Sequence, residues 1–196
     1  MNNPRRPTTV KRTEIADAAL RIIGDRGVTS LTMASLAKEL GVTPGAPFRH
    51  FASRDEILEE VAARVVEIMG ASFPDSSLPP LERLSRLFLA RAEAVGKHAG
   101  IARLIFSDQF AKALPESAAQ QIRALVKRTR ALLLDILSEA AQRGEIRQDV
   151  TPEDLLIPVM GTLQHLAFLQ AIPREGAQRP NPEKVLGTLM ALIQSK

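Results

Sequence analysis

The chain has 196 residues, of which 45% are hydrophobic and 4% aromatic, with no cysteine, tryptophan or tyrosine. This length can bury a full core as one large domain or two small ones. The absence of cysteine excludes a disulfide framework, a thiolate nucleophile and zinc sites built on cysteine ligands. The sequence contains no Gly-rich phosphate loop, His-Glu metal motif or nucleophile elbow, so we expect no enzyme, metal site or cofactor.

The positive charge is concentrated near the start of the chain. Residues 1–54 carry nine Lys and Arg against four Asp and Glu, whereas the other 142 residues carry 17 against 18. We therefore expect an anionic partner for the first quarter. The basic start is not followed by a secretion-type apolar segment, and the apolar stretch 155–172 is too polar to span a membrane. The expected location is the cytoplasm, with no membrane partner.

The hydrophobic pattern is helical along nearly the whole chain and predicts an all-α fold of about nine helices. The first helix ends at Gly27. Thr32 caps a second, short helix, which Gly41 ends in the left-handed conformation. Thr43 and Pro44 begin a third helix, because proline at the first helical position loses no hydrogen bond. A capping box at 53–56 begins the fourth, and a loop follows at 73–80. The later helices are predicted at 81–97, 101–112, 115–144 and 152–171, with a last one beginning at Asn181.

The segment 31–51 predicts two short helices joined by a tight turn. Gly41 supplies the turn, Val42 is expected to pack between the helices, and Phe51 is expected in the core. This is the helix-turn-helix arrangement, in which the second helix enters the major groove of DNA. The surrounding positive charge provides the attraction to phosphate that such binding requires.

In this region the chain resembles the TetR family of bacterial transcription regulators. The resemblance covers about residues 12–65 and is carried by order and spacing as well as by residue type. The matching positions are Ile15, Ala18, Leu20, Gly27, Thr32-Met33-Ala34-Ser35-Leu36-Ala37, Gly41-Val42-Thr43, Phe48-Arg49-His50-Phe51 and Arg54-Asp55-Glu56-Ile57-Leu58. Two positions depart from the family: Phe48 replaces a usual tyrosine, and Pro47 replaces a usual Leu or Phe. Because Pro47 falls where the first intrahelical hydrogen bond should form, we expect a distorted recognition helix.

The resemblance implies that this unit binds double-stranded DNA. The expected contact residues are Thr32, Thr43, Pro44, Gly45, Ala46, Phe48, Arg49, His50 and Arg54. Arg49 is the candidate for a bidentate contact with guanine, and a contact with phosphate alone is an equally open interpretation. His50 and Arg54 are expected to bind phosphate. Arg12, with the basic residues before it, either lies along the DNA or belongs to a disordered terminus.

The resemblance also implies two domains, a DNA-binding domain at 1–54 and a helical effector-binding and dimerisation domain at 55–196, with the fourth helix linking them. The helix at 152–171 is apolar on most of its circumference, so it is expected to face both its own domain and a second copy. The predicted homodimer interface comprises Leu156, Val159, Leu163, Leu186, Leu189, Met190 and Ile193.

A small, mostly hydrophobic effector is expected in an apolar pocket with one or two polar anchors. The candidate pocket residues are Phe88, Phe106, Phe110, Met160, Gln164, His165 and Phe168. For His165 the alternative is an ordinary buried histidine. The basic residues Arg123, Lys127, Arg128 and Arg130 either pair with an acidic effector or form a solvated helix face.

The leading hypothesis is a ligand-responsive homodimeric repressor of a pseudo-palindromic operator. The alternative is a helical ligand-binding or sequestering protein whose DNA-binding domain at 1–54, the head, is weakened by Pro47 and Phe48. Protection of a DNA site would discriminate between the two. The identity of the effector is left open.

Overall fold

Eight α-helices and two 3₁₀ turns account for most of the residues that the computed structural model describes, which are 8–106, 113–171 and 178–195. Of residues 8–11 and of Phe106, only the backbone is described. The helices are α1 (Thr8–Arg26), α2 (Met33–Leu40), α3 (Arg54–Gly70), α4 (Pro80–Lys97), α5 (Ala99–Phe106), α6 (Glu116–Gln142), α7 (Pro152–Ala171) and α8 (Pro182–Ile193). The all-α prediction is confirmed, and the one β-type pairing within the described ranges is an isolated bridge between Ile146 and Gln194.

Local capping places the helix ends close to where the sequence predicts them. The Thr32 hydroxyl accepts a hydrogen bond from the Ser35 backbone and begins α2, and Gly41 ends it at φ 65°. Thr151 Oγ1 accepts from the Asp154 N–H at 3.1 Å at the start of α7. The Asn181 side chain accepts from the Lys184 N–H at 2.9 Å at the start of α8. These side chains satisfy backbone N–H groups that have no partner inside the helix.

The chain divides into two compact units, and the three boundaries along the chain fall within α3, between α4 and α5, and within α6. The first unit contains residues 1–67 and 98–122, and the second contains 68–97 and 123–196. The predicted functional division at residue 54 stays a prediction. The predicted helix at 101–112 can be followed only to Phe106, because 107–112 lie outside the described residues.

In the first unit, α1 packs against α2 and α5. The contact with α5 is a close approach of two backbones. A Cβ on Gly100 would overlap the carbonyl oxygen of Leu20, and a Cβ on Gly24 would lie 2.7 Å from the Gly100 nitrogen. Glycine is therefore required at both positions by packing rather than by backbone conformation.

In the second unit, α4 packs against α7 and α8 around a continuous apolar core. Arg83 on α4 is 4% exposed and forms ion pairs with Asp135 and Glu139 on α6. Such pairing offsets the cost of burying a guanidinium. None of the helices in the described ranges has the length and apolarity needed to cross a bilayer.

Candidate nucleic-acid interface and sensor core

The segment between α2 and α3 differs from the predicted recognition helix. Instead of an α-helix from Thr43, it forms a turn closed by the Ala46 N–H on the Thr43 carbonyl at 2.9 Å, followed by a 3₁₀ turn at Pro47–Arg49. Pro47 has no N–H to donate to the Thr43 carbonyl, and its ring would clash with that carbonyl in an α-helix. The expectation of a distorted α-helix is therefore wrong in this respect, because a chain of turns takes its place.

This chain of turns is held at both ends. Before it, α2 is fixed to α1 because Glu39 forms ion pairs with Arg21 and Arg26 at 3.0 and 3.5 Å. After it, the Ser53 hydroxyl accepts from the Glu56 N–H at 3.2 Å, and the Glu56 carboxylate accepts from the Ala52 N–H at 2.7 Å. The predicted capping box is thus present in a slightly shifted form. Short turns between fixed ends can hold their side chains in defined positions.

The predicted DNA contacts fall into an exposed set and a partly buried set. The exposed residues are Thr32, Thr43, Pro44, Gly45, Phe48 and Arg49, and the half-buried ones are Ala46, His50 and Arg54. Phe48 is 57% exposed, which is unusual for a large apolar side chain. The Arg49 guanidinium has no hydrogen bond or ion pair within the described part of the chain. Both side chains are therefore available to a ligand.

Arg54 has a structural role that the sequence did not predict. Its Nε donates to the Leu31 carbonyl at 3.0 Å, and its Nη2 donates to the Val28 carbonyl at 2.9 Å. It therefore ties the start of α3 to the turn before α2. A guanidinium has five N–H donors, so others are left for a phosphate contact, which stays a prediction.

Two other residues of the head, Val42 and Arg12, depart from the expectations, and Phe51 agrees with them. Val42 is 45% exposed rather than packed between helices. The Arg12 guanidinium lies 4.5 Å from the centroid of the buried Phe51 ring and pairs with Glu60 at 2.8 Å. The expected alignment of Arg12 along the DNA is thus not supported, because its charge is used inside the head. Phe51 is 1% exposed, so its expected place in the core is confirmed.

His50 is half-buried next to the turn that carries Arg49. Its Nδ1 is buried and has no hydrogen-bond partner among the described residues. The phosphate contact predicted for His50 would therefore have to use Nε2, the other ring nitrogen. That contact stays a prediction.

The predicted dimer residues are on the expected helices but on the inner faces. Leu156, Val159, Leu163, Leu186, Leu189 and Ile193 are at most 8% exposed and belong to the core of the second unit, while Met190 packs against that core. Their surfaces are thus largely covered within one chain, and their part in a contact with a second copy stays a prediction. The large apolar side chains that remain exposed on α7 and α8 are Ile157 at 75% and Leu192 at 65%.

The predicted pocket residues differ in how far they are buried. Phe88 is fully buried in the core and Met160 packs against that core. His165 is exposed and stacks on the half-buried Phe168 at a centroid distance of 6.4 Å. Their part in a common effector pocket stays a prediction. Gln164 is half-buried, and Phe110 and the Phe106 side chain lie outside the described residues.

His165 instead lines an open groove of about 420 Å³ on the outer side of α7 and α8. The groove walls also include Pro158, Gly161, Leu169 and Val185. Ile157 lies one helical turn before Gly161, and Leu192 lies two turns after Val185, so this spacing places both exposed side chains on the face that carries the groove.

A polar cluster inside the second unit joins Arg128 to residues that the sequence did not single out. Arg91 on α4 is 3% exposed, and its Nη2 donates to Thr129 Oγ1 at 3.1 Å. Its guanidinium carbon lies 5.0 Å from the centroid of the Phe73 ring, and that of Arg128 lies 4.2 Å from the same centroid. Burial lowers the pKa of Arg91 to about 10, and the nearby charge of Arg128 acts in the same direction. The sequence did hold a signal, because Arg91 occupies a position in the apolar stripe of α4.

Comparison with known proteins links the head to one family. Residues 15–61 match the model described as bacterial regulatory proteins, tetR family. The chain is 27% identical over 143 residues to the HTH-type transcriptional repressor KstR2 of Mycobacterium tuberculosis. The aligned region covers 71% of this chain and 71% of that protein. The solved structure of the ketosteroid transcriptional regulator KstR2 of Mycobacterium tuberculosis superposes with a TM-score of 0.77 and 22% identity. The superposition covers 95% of this chain and 96% of the KstR2 chain. AibR, solved in complex with isovaleryl coenzyme A and operator DNA, superposes with a TM-score of 0.74 and 19% identity. That superposition covers 92% of this chain and 97% of the AibR chain.

Proposed function

The chain belongs to the TetR family of bacterial regulatory proteins, and from this membership we propose that it is a homodimeric transcriptional repressor released from a pseudo-palindromic operator by a small effector. Its relatives are regulators rather than enzymes. No catalytic role is proposed for any residue. A regulator of this kind acts in the cytoplasm, where bacterial DNA lies.

The observation that carries the proposal is the exposed Arg49 in the segment that follows α2, whose guanidinium pairs with no group in the described part of the chain. This segment occupies the position of the DNA-reading element in a helix-turn-helix unit. It is held at both ends, and it presents this guanidinium next in sequence to the exposed aromatic ring of Phe48. A guanidinium can bind the O6 and N7 atoms of guanine with two hydrogen bonds, and Phe48 can contact a thymine methyl group.

The outer face of α7 and α8 supports dimerisation. Ile157 and Leu192 are exposed there beside an apolar groove. A second copy that covers this face would bury both side chains and form a two-fold symmetric four-helix contact. Two-fold symmetry would then present two DNA-binding segments to half-sites about one helical turn of DNA apart.

The effector is proposed to be small, with a largely hydrophobic body. The structural neighbour AibR is bound to isovaleryl coenzyme A, which joins a short acyl chain to a charged carrier. An effector of this kind would favour a conformer of this chain whose two heads no longer match the operator. The ratio of the effector's affinities for this conformer and for the DNA-binding conformer sets how far the effector can weaken DNA binding.

Selection of binding sites from a random duplex library, followed by a salt titration, tests the proposal. We expect a two-fold symmetric site bound by one dimer, with an affinity that falls steeply as salt rises because phosphate contacts release counterions. Specific binding should exceed binding to random DNA by about a thousandfold or more. Failure to enrich any site would contradict the regulator function.

One observation favours a second candidate function. The element expected to enter the major groove is a pair of turns rather than an α-helix. A head weakened in this way would suit a helical protein that binds or sequesters a small molecule. In that case the same selection would yield no enriched site, while small-molecule binding to the second unit would persist.

A further inference from the structure

Two buried arginines on α4 have opposite environments. Arg83 is 4% exposed and forms ion pairs with Asp135 and Glu139. Arg91 lies two turns later and is 3% exposed, yet no carboxylate in the described ranges forms a salt bridge with it. Its Nε is buried and has no hydrogen-bond partner there, which is also true of Arg83 Nε, so the missing carboxylate is what distinguishes Arg91. Leaving a buried charge unpaired is costly, so such a group usually has a partner.

The surroundings of Arg91 add positive charge rather than neutralise it. Arg128 on α6 places a second guanidinium against the same Phe73 ring. Phe73 is half-buried and Arg128 is exposed, so the cluster reaches from the interior to the surface of the unit. Neither cation forms an ion pair with a carboxylate among the described residues, and two such cations against one aromatic ring match a site whose counter-charge comes from a ligand.

Thr129 fixes the orientation of the buried guanidinium. Its hydroxyl donates to the Leu125 carbonyl at 3.0 Å and accepts from Arg91 Nη2 at 3.1 Å. Because the Thr129 proton is already used within α6, the hydroxyl can only accept from Arg91. The arginine is therefore held in place while its Nε lacks an acceptor, which is the arrangement expected of a preformed anion site.

We propose that Arg91 and Arg128, which both contact the Phe73 ring, bind the oxyanion group of a small molecule, a carboxylate or a phosphate. A guanidinium binds either group through two parallel hydrogen bonds. The identification of this molecule as the effector rests on the proposed function, whereas the site itself does not. The hydrophobic effector expected from the sequence would then carry a negatively charged end.

Calorimetric titration of the full-length protein tests the site with two probes, inorganic pyrophosphate and hexanoate, at constant ionic strength. We expect saturable binding of one or both, at one site per chain. Pyrophosphate binding alone indicates a phosphate-bearing ligand, and hexanoate binding alone indicates a carboxylic acid. Arg91→Met and Arg128→Met should each weaken binding by about tenfold or more, because each removes a charge-assisted contact.

The matched control is Arg130→Met, which removes an exposed cation two residues from Arg128 on α6. It should leave the dissociation constant within about twofold, since exposed charges contribute little. Equal binding by the Arg91 and Arg130 variants would overturn the site, as would the absence of saturable binding of both probes. Binding that is lost in Arg49→Ala but kept in Arg91→Met would also overturn it, because the anion would then occupy the DNA-binding head.

Stability without the probe separates a ligand site from a structural arginine. If Arg91 is part of a ligand site with no anion bound, Arg91→Met should unfold at the same temperature as the wild type or at a higher one. The substitution then removes a buried charge that is unpaired in the ligand-free protein. A marked fall in the midpoint would assign Arg91 a structural role and overturn the proposal. DNA binding by the wild type is measured separately. Its absence would contradict the regulator function and leave the anion site standing.

Discussion

The Nε atom of Arg54 donates a hydrogen bond to the carbonyl oxygen of Leu31 at 3.0 Å. Leu31 is 1% exposed, so its carbonyl has little access to water as an alternative partner. The same guanidinium reaches the Val28 carbonyl, so one side chain joins two parts of the head that lie more than 20 residues apart. A residue expected to bind DNA is thereby also part of the framework that positions the DNA-binding segment.

Replacement of Arg54 by alanine should lower the free energy of unfolding by about 2–3 kcal/mol, because two buried carbonyls lose a charged donor. Chemical denaturation monitored by circular dichroism measures this loss. The control is Arg21→Ala, which breaks an exposed ion pair with Glu39 and should cost less than about 1 kcal/mol. Equal losses in the two variants would contradict the structural role of Arg54.

Replacement of Arg49 by alanine should weaken binding to the selected operator by about 1–3 kcal/mol and leave binding to random DNA much less affected, because a base contact is removed. Fluorescence anisotropy on both duplexes provides the measurement. Lys38→Ala, on the exposed side of α2, serves as the control and should preserve selectivity. If Arg49→Ala weakens binding to both duplexes alike, the side chain contacts phosphate only.

Replacement of Pro47 by leucine should restore the N–H that an α-helix needs at this position and convert the 3₁₀ turn to an α-helix. The helical signal at 222 nm should rise by the equivalent of about one turn. Pro44→Ala is the matched control, because proline at the first helical position removes no intrahelical bond. An unchanged signal in Pro47→Leu would show that the turns are set by the surroundings rather than by the proline.

Replacement of Gly100 by alanine should destabilise the first unit by about 2–3 kcal/mol, because its Cβ would meet the backbone of α1, which cannot move aside as a side chain can. Gly70→Ala, at the end of α3, has open space around it and should be neutral or stabilising by up to about 1 kcal/mol. Thermal unfolding compares the two. A stable Gly100→Ala variant would contradict the close approach of α1 and α5.

Replacement of Ile157 by glutamate should convert the dimer to a monomer, because it places a charge at the centre of the apolar outer face of α7 and α8. Light scattering coupled to size-exclusion chromatography measures the mass. Binding to a palindromic site should fall by about tenfold or more as the two heads become independent. Ala131→Glu, at an exposed position on α6, should remain dimeric. A dimeric Ile157→Glu variant would place the interface elsewhere.

The sequence determined the features of this protein that depend on neighbours along the chain. Thr32, Gly41 and Asn181 mark helix ends because capping involves groups within four residues of one another. The helix-turn-helix unit was recognisable for the same reason, since it consists of a short helix, a turn and a capping box in order. The exposed positions of Thr43, Phe48 and Arg49 agree with the roles predicted for them.

Only the tertiary structure decided which faces are covered and which charges are paired. The helix α7 is apolar almost all round, so its sequence could not show that Leu163 points inward while Ile157 remains exposed. Likewise, nothing near Arg54 in the chain shows that it meets two distant carbonyls. The apolar stripe of α4 indicates that Arg91 is buried, but not that it forms no ion pair with a carboxylate in the described part of the chain. Burial and pairing depend on residues brought together from distant parts of the chain, and a local pattern carries no information about them.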